Sequence, residues 1–124
     1  MIYLVRVLII ILPILLSGCN SYDTEKNYLV AGELEKAGRY SEAIAILKKV
    51  QKNCDNSMKY NVELKLARNY YCLNDYKNSK MICNKLIESI PDSLDPRIKL
   101  GAQMVLLSIE RETKGYENLL NFNE

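Results

Sequence analysis

Residues 34–50, LEKAGRYSEAIAILKKV, read as the end of one helix, a turn and the start of the next. Gly38 interrupts an apolar-periodic segment and Tyr40 follows it. Ser41 stands where a side chain would cap a helix whose apolar positions are Ala43, Ile44, Ile46, Leu47 and Val50. A hairpin of this length cannot cover its own apolar stripe, because short helices draw most of their stability from packing rather than propensity. Further units of the same kind are expected to pack on it.

Sliding the chain by thirty-six residues lays Tyr40 on Tyr76, Ala31 on Ala67, Leu34 on Tyr70, Ala43 on Ser79 and Val50 on Leu86. Size and apolarity match at each position. A further shift of thirty-four lays Leu66 and Ala67 on Leu100 and Gly101, and Tyr70 on Met104.

This spacing resembles the tetratricopeptide (TPR) repeat, with its pattern W-x2-L-G-x2-Y, A-x3-F, P. The middle unit carries Glu63-x2-Leu66-Ala67-x2-Tyr70, Ser79-x3-Cys83 and Pro91. The first carries Asn27-x2-Val30-Ala31-x2-Leu34 and Ala43-x3-Leu47 but ends in Asp55, and the chain has no Trp. The resemblance implies an all-α fold: a short α-solenoid of about two and a half TPR-like helix-turn-helix repeats over residues 28–122, closed by a C-terminal capping helix. It also implies close pairs at Ala31 with Ala43 and at Ala67 with Ser79.

Residues 1–18 stand apart from the fold. Arg6 precedes an unbroken apolar run from Val7 to Leu16, which is short for a membrane span and has the character of a secretory signal peptide. Leu16-Ser17-Gly18-Cys19 resembles the bacterial lipobox, which implies that Cys19 becomes the lipidated first residue of the mature chain, carrying diacylglycerol and an acyl chain such as palmitate. Each buried methylene contributes about 0.8 kcal/mol, and two or more chains give stable anchoring. The expected location is a bacterial membrane, lipid-anchored and facing away from the cytoplasm, with the periplasmic face of the outer membrane favoured by Asn20. Residues 19–27 then read as the lipidated Cys and a polar linker.

The chain has 17 basic and 15 acidic residues, and removal of 1–18 takes away only Arg6. A near-neutral module disfavours nucleic acid, whose phosphates call for a basic stripe. Cys54, Cys72 and Cys83 remain after Cys19, and no His is present. Their spacings match no zinc pattern, so neither metal nor other cofactor is expected. Cys72 and Cys83 lie on opposite sides of a turn. An axial offset of about 8 Å added to an interaxial distance of about 8–10 Å puts them beyond disulfide reach. Cys83, at the family's aromatic position, should be a small buried hydrophobe.

The sequence places a loop at residues 51–57. A third helix is expected from Ser57 to Leu73, with Leu64, Leu66, Ala67 and Tyr70 inward and Lys59, Glu63 and Lys65 outward. Asn74-Asp75 replaces the glycine turn, and Tyr76 to Ser89 forms a fourth helix ended by Pro91. Asp95-Pro96 starts a helix to Thr113 bearing Ile98, Leu100, Met104, Val105, Leu107 and Ile109, and Gly115 separates it from a short helix over Tyr116 to Phe122.

No nucleophile–base pair, phosphate-binding glycine loop or metal cluster is legible, so the chain does not read as an enzyme. Glu33 and Glu35, two residues apart on a helix, point in different directions and are expected in solvent. Repeats of this family present a concave groove to a protein or peptide. Its positions carry over to Tyr28 in the first unit, Lys65, Arg68 and Tyr71 in the second, and Lys99 in the third. The resulting expectation is an envelope scaffold or adaptor that binds a segment with carboxylates and apolar anchors. The alternative is a self-associating or accessory subunit of an envelope complex of the outer-membrane assembly type.

Overall fold

A computed structural model describes residues 22–121, which form five helices and no strand: α1 (22–36), α2 (Tyr40–Asn53), α3 (Asn56–Cys72), α4 (Tyr76–Ser89) and α5 (Pro96–Asn121). The all-α class expected from periodicity holds. Residues 1–18, read as a signal peptide, together with Cys19 and Phe122, lie outside the described residues.

The two turns are built alike, thirty-six residues apart. Gly38, at φ 74°, and Asn74, at φ 60°, take the left-handed conformation. Arg39 N–H donates to Leu34 O at 2.9 Å, and Asp75 N–H donates to Tyr70 O at 2.9 Å. Such a turn satisfies carbonyls orphaned at the helix end, and it needs a residue that tolerates positive φ. Gly38→Ala should therefore cost about 1 kcal/mol, whereas Gly115→Ala, inside α5 with open space around it, should add about 0.5–1 kcal/mol. Urea midpoints of the two variants should move in opposite directions.

Caps account for most boundaries. Asp55 accepts from the Ser57 and Met58 amides at 3.1 Å, and the Ser57 hydroxyl, followed by the Met58 amide, holds its carboxyl below the ordinary range. This cap starts α3 at Asn56 and leaves only Cys54 and Asp55 between α2 and α3, so the expected loop at 51–57 is mostly helix. Asp75 accepts from the Asn78 amide at 3.2 Å, and Asp95 accepts from the Arg97 amide at 3.0 Å, ahead of Pro96. Ser41 is no cap. It lies within α2, whose cap position is Arg39 with no side-chain capping bond; instead the Arg39 guanidinium donates to Glu42 at 2.9 Å.

Helix α3 is the hub. It packs against α2, α4 and α5, and Lys65 ties it to Glu35 of α1. Val62 and Leu66 join Ala31, Ile44, Leu47 and Val50 in one core, while Leu64 and Ala67 join Cys83, Leu86, Ile98 and Val105 in the other. Of the expected close pairs, Ala67 and Ser79 meet, the buried Ser79 hydroxyl donating to Ala67 O at 2.8 Å; Ala31 and Ala43 are each fully buried.

Several expectations need correction. Residues 22–27, read as linker, are helical, and Thr24 is buried. Glu63 is buried rather than outward, and Val62 and Asn69 are fully enclosed. Gly115 does not break the chain, since α5 is one helix to Asn121. The position equivalent to Gly38 and Asn74 is Glu110, a residue ill suited to a left-handed turn, and it pairs one helical turn on with Lys114. A third turn therefore does not form.

The register of α5 also differs. Leu100 and Met104, expected inward from the shift of thirty-four, are exposed. The buried set is Ile98, Ala102, Val105 and Ile109. Of these, Ile98, Ala102 and Val105 lie thirty-six residues after Val62, Leu66 and Asn69, so burial keeps one period along the chain.

Candidate functional site

The five expected groove residues do not form one open surface. Lys65 Nζ lies 2.9 Å from Glu35 Oε2 and 5.3 Å from the centre of the Tyr28 ring. Asn69 Nδ2 donates to Glu35 Oε1 at 2.8 Å and to Lys65 O at 2.7 Å. These groups close a half-buried network between α1 and α3 in which the charges of Glu35 and Lys65 satisfy each other. Glu35 is thus not simply solvated, and Lys65 does not point outward free.

Arg68 is exposed, with its guanidinium 3.2 Å from where a Cβ on Gly101 would stand. Tyr71 packs 5.7 Å from the Tyr76 ring against the second core, and Lys99 Nζ lies 3.9 Å from Asp92. The structure brings together Tyr28 and Lys65 but gives each of the other three its own neighbours.

Cys54, Cys72 and Cys83 are free thiols; Cys72 is exposed and Cys83 fully buried. Burial pushes the Cys83 thiol up to about 11, from an ordinary value of 9.0. Between these values the folded chain retains a proton that the unfolded chain gives up, so this group's contribution is intact below pH 9 and is lost as pH rises towards 11. Wild type should lose about 2 kcal/mol more than Cys83→Ala across that window, read from urea midpoints. No three His, Cys, Asp or Glu side chains converge as a metal site among the described residues, and no described helix is long and apolar enough to cross a membrane.

The surface that stands open lies on α5. Leu100, Met104 and Leu107 are 55%, 61% and 66% exposed and share one stripe opposite the buried Ile98–Ala102–Val105–Ile109 side. Beside the stripe, a groove of about 620 Å³ runs between α4 and α5, with Leu106 and Leu107 in its floor and Lys77, Lys80 and Asn84 along one wall. The far wall holds Glu110, whose carboxyl is kept low by its hydrogen bond to Lys114 and then by that charge. A second exposed patch, Leu29 and Val30 beside the half-buried Leu34, lies on the outer face of α1.

Sequence reasoning laid Leu100 and Met104 on the inward Leu66 and Tyr70, and gave Leu107 no side. The signal against that was present, because α5 has apolar residues on two opposite sides and one packed interface can bury only one of them. Apolar surface flanked by flexible cations suits a packed helix better than a small polar substrate. No protein-family model, no curated protein and no solved structure matches this chain.

Proposed function

We propose that this chain is a TPR-like protein-docking module, tethered to a bacterial membrane through lipidated Cys19, that receives a partner helix on the outer face of α5 and the adjoining α4–α5 groove. One observation carries the reading. Leu100, Met104 and Leu107 follow Leu64, Arg68 and Tyr71 by thirty-six residues, and on α3 that face is met by α4 and α5. The α5 copy of an interface that is covered one layer earlier stands bare. An amphipathic helix with anchors at i, i+3 or i+4 and i+7, bearing carboxylates towards Lys77 and Lys80, has the complementary chemistry. The repeat reading draws further support from the identical turn hydrogen bonds.

A photoreactive amino acid in place of Leu107 in the full-length chain, expressed in cells, should give a discrete protein adduct that Leu100→Glu diminishes. The same group in place of the exposed Lys49 should not. No adduct at Leu107, or the same adducts at both positions, contradicts the site. Labelled palmitate should enter the wild type and not Cys19→Ala; equal labelling contradicts the anchor.

A further inference from the structure

The packing of successive helices repeats position by position. On α1, Tyr28 and Gly32 receive Lys65 of α3: the ammonium lies 5.3 Å from the Tyr28 ring centre and 3.8 Å from where a Cβ on Gly32 would stand. Thirty-six residues on, Leu64 and Arg68 of α3 receive Gly101 of α5, where a Cβ would stand 2.9 Å from Leu64 Cδ2 and 3.2 Å from Arg68 Nη2. The next receiving pair in this series is Leu100 and Met104, and each is more than half exposed, at 55% and 61%. The inserted residues, Lys65 and Gly101, are preceded by Leu29 on α1, 69% exposed on the opposite end of the molecule. One end carries a socket with no insert, and the other an insert with no socket.

We propose that the occupant is a second copy of this chain, stacked head to tail, with Leu29 of its α1 seated on Leu100 and Met104 of α5. This inference rests on reading the outer face of α5 as a docking surface, and it names the partner. Glu33, the equivalent of Asn69 and paired with Lys36 on its own helix, arrives beside Leu107, one turn from Arg111, which is exposed and has no ion pair among the described residues. The joined surfaces differ, so the contact is heterologous and propagates into chains rather than stopping at a two-fold dimer. A single helix-on-helix contact is weak in dilute solution, and confinement at a membrane through Cys19 raises its effective concentration.

The test uses full-length copies in membranes, with the exposed Cys72 replaced by Ser. One tagged copy carries Leu29→Cys, a differently tagged copy carries Met104→Cys, and a short bismaleimide links neighbours. Mixed dimers should exceed either like pair by about tenfold or more, and a single copy carrying both substitutions should give a ladder. Predominant Met104→Cys pairs with themselves would overturn the inference in favour of a two-fold contact. Adducts of the Met104→Cys copy with another polypeptide alone overturn the second copy as occupant but leave the docking surface standing. Absence of any adduct removes both. Unchanged thermal unfolding of each exposed-site variant keeps these outcomes separate from misfolding.

Discussion

Leu86→Ala should lower the stability of the fold by about 3–4 kcal/mol, a large share of the 5–15 kcal/mol available to a chain of this size. Leu86 is fully buried on α4, in one core with Leu64, Ala67, Cys83 and Ile90. Truncation removes its apolar contacts. The space left is walled by α3 and α5, and the Ser79 to Ala67 O hydrogen bond keeps α4 from sliding inward to refill it. Met81, on the same helix but exposed, serves as the control: Met81→Ala should stay within about 0.5 kcal/mol. Urea unfolding of the two variants checks this. A cost below about 1 kcal/mol for Leu86→Ala would mean that α4 is not seated on α3 as described.

Glu35→Ala should cost about 2–3 kcal/mol, more than an ordinary surface carboxylate. Glu35 accepts from Lys65 and from Asn69 Nδ2, and Asn69 is fully buried with no partner for its Oδ1 among the described residues. Removing the carboxylate leaves Asn69 Nδ2 with its bond to Lys65 O alone, on a buried amide whose Oδ1 already lacks a partner, and strips a half-buried ammonium of its counter-charge. Lys65→Met should cost less, because Asn69 keeps its bond to Glu35 and methionine retains most of the apolar stem. Equal losses for the two variants, measured by urea unfolding, would show that Asn69 does not depend on Glu35.

Much of this architecture was legible in the sequence, for physical reasons. Pro91, Asp95-Pro96 and Asn74-Asp75 act through backbone geometry and capping, which depend on near neighbours, and the boundaries they set, including Tyr76–Ser89, agree with the structure. Ser41 misled because capping depends on where the backbone leaves the helical region, two residues earlier than side-chain type implied. The register of α5 misled because Leu-Gly looks like Leu-Ala, so similarity favoured a shift of thirty-four. Packing favoured thirty-six, since it puts Ala102 and Gly101 where helices approach closely and leaves the larger Leu100 and Met104 outside.

The site was harder to read than the fold. Tyr28 and Lys65 were carried over as groove positions of the first and second units. Their role reversed because Glu35, thirty residues before Lys65, lies across α1 from it and consumes the charge. A long-range ion pair of this kind leaves no local signature. The bare stripe had a signature in the two-sided apolarity of α5, but it became a surface only once burial showed which side is covered.

The central claim is that α5 turns Ala102 inward and Met104 outward. Thiol labelling of Met104→Cys and Ala102→Cys, each with Cys72→Ser and at a dilution where copies do not associate, tests it most directly. Met104→Cys should react at the rate of an open thiol and Ala102→Cys at least about a hundredfold more slowly, limited by opening of the fold. Comparable rates, or faster reaction at residue 102, would contradict the account.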